Sequence, residues 1–349
     1  MIVLKIIIAI IIFSIIIIFH EFGHFLLAKL NDIQVNEFSL GFGPTIVSIQ
    51  GKETKFSLKL LPFGGSCAME GEDGDSDSKR AYSNKSVLAR FCVVAAGPVF
   101  NFIMAFIFSV ILIGSIGIDL PEISQVMDGY PAQEAGILEN DKIIKLDNTK
   151  IYTFRDVSMY TFFHSGQKIN VTYQRGDEIY NTVITPRYDK ESDAYYIGLY
   201  GSSNRSKVGA LSVIGYGIHE VKYWISYTIH SLFWLLTGRI SLNDMSGPVG
   251  IIQTIGNTYE AGMQSGGLTL AVVNLLNISI LLSANLGVVN LIPFPALDGG
   301  RLLFMIIEGI RRKKINPDKE GYVHFIGFVI LLGFMAIVLF NDIRKLFLQ

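Results

Sequence analysis

Four stretches of this 349-residue chain, 6–19, 91–118, 261–297 and 321–340, contain no Asp, Glu, Lys or Arg. Crossing hydrocarbon takes ~20 mostly apolar residues. It also requires every backbone N–H and C=O to be paired within the segment, which selects helices. The expected fold is therefore a polytopic α-helical membrane protein with four transmembrane helices. Charged residues make up only 17% of the chain, below the ~25% of ordinary soluble domains. Residues 6–19 after Lys5 could begin a signal peptide, but no small-residue cleavage site follows and the apolar run continues through His24 to Leu30.

Lys and Arg crowd two connections. Lys52, Lys55, Lys59, Lys79, Arg80, Lys85 and Arg90 lie between the first and second spans, and Arg301, Arg311, Arg312, Lys313, Lys314 and Lys319 between the last two. Positive residues stay in the cytoplasm, so both loops are expected there and both termini outside, as for a protein of the cell (inner, cytoplasmic) membrane. Residues 208–237 are apolar but include His219, Glu220, Lys222 and His230. They are expected to lie as an interfacial amphipathic helix, because a span there would also reverse the last two.

From Asp119 to about Tyr188 the composition turns to that of a soluble domain. Lys168–Tyr173 and Tyr180–Ile184 alternate as strands do, joined by Arg175-Gly176-Asp177. The organisation read from these shifts has a membrane part, 1–118, with spans at about 4–30 and 91–118 and a loop at 31–90. An inserted domain, 119–189, follows, then a connector, 190–264, and a second membrane part, 265–349, with spans at about 265–292 and 321–342. The net charge of −1 gives no basic field for nucleic acid.

His20-Glu21-Phe22-Gly23-His24 is an H-E-x-x-H motif in a helical run. Positions i and i+4 share a helix face, so both imidazoles can ligate one Zn²⁺. Glu21, one residue round the helix, can take a proton from metal-bound water. A catalytic zinc needs a third protein ligand, and Asp298 is the candidate. Pro293 and Pro295 break the helix before it, and Gly299-Gly300 would permit a tight turn around it. The alternative role for Asp298 is to cap a following helix, 301–310.

With these residues in hand, the chain resembles the bacterial site-2 proteases, regulated intramembrane zinc metalloproteases of the RseP/RasP type. The resemblance rests on HEFGH at 20–24, on NLIPFPALDGG at 290–300, and on one PDZ-like insert carrying GYPAQEAGI at 129–137 and NDKII at 140–144. It implies one zinc per chain held by His20, His24 and Asp298, and Asn290 donating to the substrate near the metal. Gly41-Phe42-Gly43-Pro44 resembles the family's G-x-G segment, and residues 61–73, with Gly64 and Gly65, its membrane-associated β-hairpin on the cytoplasmic side. Gly41, Gly43, Gly64 and Gly65 are thereby expected to help hold an extended substrate, and Lys55–Leu61 also alternates as an edge strand should.

The implied partners are single-span membrane proteins, such as anti-sigma factors or remnant signal peptides, together with the lipid bilayer. A peptide or substrate end is expected at the extracytoplasmic PDZ-like α/β domain, its carboxylate-binding loop near Gly117–Pro121. Met245-Ser246-Gly247-Pro248-Val249-Gly250 also resembles a family segment, without assigned chemistry. A catalytically dead PDZ scaffold and a metal transporter are the competing functions.

Cys67 and Cys92 cannot form a disulfide framework and are expected to be small buried apolar groups. Asp73-x-Asp75-x-Asp77 lacks the Gly and Glu of a calcium loop, with Ser78 and Asn84 in their places. His164, His219, His230 and His324 have no paired spacing and are expected to be structural.

Overall fold

A run of Ile favours strand in water, but a lone strand in hydrocarbon would leave its backbone unpaired. The N-terminal run accordingly forms one unbroken helix, α1 (Ile2–Leu30). The computed structural model describes all residues except Met1, Asp73, Asp75, Glu191, Ser192, Ser203, 242–244 and Gln349. Asp73 and Asp75 of the acidic triplet thus lie outside the described residues.

After α1 come β1 (Val35–Gln50), β2 (Lys55–Met69) and α2 (Val87–Ile116). Next are β3 (Ile123–Val126), α3 (Pro131–Glu134), β4 (Lys142–Leu146), β5 (Thr149–Lys150) and α4 (Phe154–Phe163). Five strands follow: β6 (Ile169–Arg175), β7 (Glu178–Ile184), β8 (Arg187–Asp189), β9 (Ala194–Tyr196) and β10 (Leu199–Gly201). The chain ends in α5 (Ala210–Leu236), α6 (Pro248–Asn290), α7 (Asp298–Arg311) and α8 (Pro317–Leu348). Among the described residues, four helices are long and apolar enough to cross a membrane: α1, α2, α6 and, within α8, Asp318–Lys345. The chain divides into two compact units, one of residues 1–108 with 231–349, the other 109–230.

In the first unit α1 buries Ala9, Ile12, Ile16, His20, Gly23, His24 and Ala28. These recur every three or four residues, so both histidines lie on the packed stripe of the helix. Ala9, Ile12 and Ile16 pack with Met104 of α2 and Ile255 of α6. Gly266 and Gly267 interrupt α6 with non-helical backbone, and the helix resumes toward Asn290.

The segment expected as a simple hairpin is folded over. β1 residues Thr45–Gln50 pair with Lys55–Lys59, and Glu37–Leu40 pair both with Lys55–Leu58 and with Gly65–Ala68. The two strands therefore make a sheet of four short rows, bent where Gly41, Gly43 and Gly64 take φ of 81–87°. Such angles are open chiefly to glycine. The last row, Gly65–Met69, lies at the sheet edge.

The second unit has a core of Ile123, Ile137, Ile143, Leu146, Ile169, Val171 and Ile184. Its antiparallel four-stranded sheet runs β5-β4-β6-β7, with the expected turn reduced to Gly176-Asp177 between β6 and β7. β10 pairs with β3, so the domain reaches past the expected limit at 189, and Ile118 and Ser206 exchange backbone hydrogen bonds at its base. Thr153 and Asp156 form a capping box that starts α4.

α5 covers the segment read as interfacial and exposes Leu211, Ile214, Ile218 and Ile229. Its charges are not all on a solvated face, however. Glu220 is buried, paired with Arg155 and accepting from Trp224 Nε1, while His219 bonds Asp156. A buried carboxylate requires such partners.

Cys67 is buried as expected, whereas Cys92 is exposed on α2. A thiol is apolar enough to face lipid without cost, so nothing in its chemistry forces it inward.

Candidate metal centre

His20 and His24 sit near the C-terminal end of α1 and point from its buried stripe toward the first residue of α7. His20 Nε2 lies 3.2 Å from Asp298 Oδ2, His24 Nε2 3.6 Å from the same oxygen, and the two Nε2 atoms are 3.2 Å apart. Bonds of ~2.0–2.1 Å in tetrahedral geometry separate donors by about 3.3 Å, so this triangle has the size of a zinc face. Asp298 Oδ2 is buried and accepts no conventional hydrogen bond. The two-nitrogen, one-oxygen donor set suits Zn²⁺.

The His24 tautomer follows from its partner. Nδ1 is 2.9 Å from the Val93 carbonyl, which can only accept, so Nδ1 carries the hydrogen and Nε2 presents its lone pair to the site. Pro98 lies inside α2 and cannot bond back to Val94, which loosens the helix beside this carbonyl. The helices approach closely enough for this because of small residues. A methyl on Gly23 would meet the Ala96 carbonyl oxygen at 2.4 Å, and one on Gly97 would meet His24 Nε2 at 2.3 Å.

Asp298 does not cap a helix. Leu297 occupies the cap position, and Asp298 is the first residue of α7. The turn before it is made by Ala296 at φ 78°, not by the glycines. Gly299 and Gly300 instead leave room for the incoming chain: a methyl there would strike the Ile292 and Phe294 carbonyl oxygens at 2.2 and 2.4 Å. His324 of α8 supports the turn, its Nδ1 accepting from the Ala296 N–H at 2.9 Å.

The donors open on a cavity of about 450 Å³ lined by Glu21, Ser66, Cys67, Ala68, Met69, Glu72 and Arg301, among others. Glu21 lies against the sheet edge, since a methyl on Gly65 would come within 2.8 Å of its Cγ. The sequence-predicted residues therefore divide. His20, Glu21, His24 and Asp298 come together, with Gly65 touching Glu21. Gly41, Gly43 and Gly64 stand at the bends of the sheet, away from the cavity wall, and Asn290 ends α6 without lining it.

Ser66–Met69, within the segment 61–73 expected near the cleft, line the cavity; sequence reasoning missed the ion pair between Glu72 and Arg301. It missed Asn101 as well, whose Nδ2 is 3.0 Å from His20 Nδ1. An Asn within an uncharged span was a signal for this last residue, because polar groups there need partners.

A family model described as peptidase family M50 matches residues 8–334. The chain belongs to peptidase family M50. A protein of Clostridium acetobutylicum named as a zinc metalloprotease is 38% identical over 339 residues, 97% of either chain. One of the same designation from Clostridium perfringens is 35% identical over 97% of this chain and 98% of its own. The regulator of sigma-W protease RasP of Bacillus subtilis is 31% identical over 422 aligned positions, 97% of this chain and 98% of its own. The PDZ domain of an SdrC-like protein of Listeria monocytogenes covers 25% of this chain and 87% of its own at 20% identity and a TM-score of 0.21, which carries no weight here. This M50 protein is a zinc metalloprotease and a multi-pass membrane protein.

The second unit has its own groove, about 590 Å³, between α4 (Phe154, Val157, Thr161) and the chain from Tyr195 to Tyr200. The carboxylate-binding loop expected near Gly117–Pro121 does not line it. Gly117, Ile118 and Asp119 border a separate small pocket, and the Ile118 backbone is already committed to Ser206.

Proposed function

We propose that this M50 protein is an intramembrane endopeptidase that cuts the transmembrane segments of single-span membrane proteins. The observation carrying the reading is the convergence of His20 Nε2, His24 Nε2 and Asp298 Oδ2 beside Glu21 and the sheet edge Ser66–Met69. His20, His24 and Asp298 would hold one zinc, which supplies a water acidic enough to ionise near neutral pH and a Lewis acid for the scissile carbonyl.

Glu21 takes the proton from the attacking water and returns it to the leaving amine. The row Ser66–Met69 receives the substrate as an added strand beside the carboxylate. A helical substrate must unwind first, because its carbonyls are engaged in i to i−4 bonds, and the hydrogen bonds of the sheet edge offset part of that cost. Gly41, Gly43 and Gly64 contribute indirectly, by letting the sheet fold so that this row meets Glu21. The site is assigned to the cytoplasmic side and the insert to the opposite side of the cell membrane by the distribution of Lys and Arg. In that arrangement the groove between α4 and β10 takes a substrate end or screens substrates by size.

Cleavage of a tagged single-span protein by the purified chain in detergent tests the proposal. Loss of the product with a chelator and its return with zinc are expected. Cleavage indifferent to the chelator, or zinc flux into vesicles without cleavage, would overturn it.

A further inference from the structure

His24 has its tautomer fixed by a carbonyl, but His20 does not. The group at its Nδ1 is the Asn101 side chain of α2, with Nδ2 at 3.0 Å. Asn101 is fully buried, and its Oδ1 has no hydrogen-bond partner. Its backbone carbonyl accepts from Ser283 Oγ of α6 at 2.7 Å, which anchors this turn of α2.

The two ends of a carboxamide are nearly isosteric, so it can present oxygen or nitrogen to the ring by a half-turn. With Nε2 free of hydrogen for a metal, neutral His20 carries its hydrogen on Nδ1. That hydrogen needs an acceptor, and the orphaned Oδ1 is the acceptor within reach.

We infer that Asn101 is a positioning residue for the metal, its Oδ1 accepting from His20 Nδ1–H so that Nε2 is held toward Asp298 as a ligand. The amide nitrogen facing Nδ1 suits the other tautomer, in which Nε2–H donates to Asp298 Oδ2 across 3.2 Å. Asn101 thus serves both forms of the ring, and a residue that could only donate or only pack would not. Outer partners of metal-bound histidines orient the ring and raise its basicity, and losing one costs about 10- to 100-fold in metal affinity.

The inference rests on the zinc reading of His20, His24 and Asp298, and the test separates the two. Zinc affinity of the full chain in detergent is measured by competition with a chromophoric chelator, alongside thermal unfolding of the metal-free forms. Asn101→Leu, similar in size but unable to accept, is expected to weaken zinc by about 10- to 100-fold. Asn101→Asp, similar in shape and able to accept at either oxygen, is expected to hold zinc at least as tightly as wild type.

Leu holding zinc within threefold of wild type, or Asp losing it as Leu does, overturns the role of Asn101. Should Leu not yield monodisperse protein, Asp alone still decides. Wild-type protein that binds no zinc would instead overturn the metal site itself.

Discussion

Gly97 of α2 lies directly against His24 of α1: a methyl group at position 97 would stand 2.3 Å from Nε2 and 2.8 Å from Cε1 of His20. The absence of a side chain at this helix crossing is what lets two ring edges face Asp298. Gly97→Ala is expected to displace both imidazoles and lower zinc affinity at least tenfold, with turnover falling in parallel. Full zinc content by metal analysis of the variant would show that the rings have room to move aside.

Glu21→Gln keeps the size and hydrogen-bonding reach of the side chain but removes its basicity. Glu21 is not one of the three converging donors, so zinc content is expected to stay near wild type. Turnover of a single-span substrate should drop by about 10²- to 10⁴-fold, the usual worth of a general base. A variant that cleaves at the wild-type rate would remove Glu21 from the chemistry.

In the second unit burial alone would raise the Asp156 carboxyl, but the His219 hydrogen bond and charge, with the N–H groups of Tyr152 and Thr153, outweigh it and hold it below the ordinary value. A carboxyl depressed in the folded state stabilises fully above its unfolded pKa of about 3.9 and less as pH falls through the folded value. Unfolding of this unit is followed by tyrosine fluorescence from pH 5 downward. It should occur at lower temperature below about pH 4. Asp156→Asn should flatten that acid limb, and an unchanged limb would assign it to other carboxyls.

The Lys and Arg distribution predicts that positions 85 and 312 face the cytoplasm and position 170 the exterior. Single cysteines there, in a chain without Cys67 and Cys92, can be challenged on intact cells with an impermeant thiol reagent. Labelling at 170 alone is expected. Labelling at 312 from outside would reverse the assignment of the cavity to the cytoplasmic side.

Because Ile118 and Ser206 are hydrogen-bonded neighbours, replacing 119–205 by a short Gly linker closes the chain without stretching it. The shortened protein is expected to keep its zinc and to cleave a small single-span substrate within a few-fold of wild type. It should also accept substrates with a bulky exterior domain that the full chain rejects. Loss of cleavage of the small substrate, with zinc retained, would make the groove between α4 and β10 a docking site the enzyme needs.

The long apolar helices and the pairing of the two histidines were legible because both obey short-range rules: uncharged length for the one, helical periodicity for the other. The convergence of Asp298 with the two histidines was legible, but its backbone was not. The turn falls on Ala296, a residue with no turn preference, while Gly299 and Gly300 leave room for the preceding carbonyls. The folded sheet escaped because Glu37–Leu40 pair on both edges with residues about twenty and thirty positions away, and strand alternation cannot distinguish one partner from two. Arg301 read as an interior-facing loop charge, whereas its partner Glu72 draws it to the cavity. The role of Asn101 depends on a ring 81 residues away, which no local pattern encodes.

His24 and Asp298 are separated by 274 positions along the chain. During synthesis the HEFGH helix, the folded sheet and the whole insert are made long before Asp298. At roughly 5–20 residues per second the gap lasts on the order of ten seconds to a minute. If His20, His24 and Asp298 hold the zinc as proposed, a growing chain carries only two of its three ligands over that interval. On the proposed ligand set the site is completed only when Asp298 has been made, after both the folded sheet and the insert.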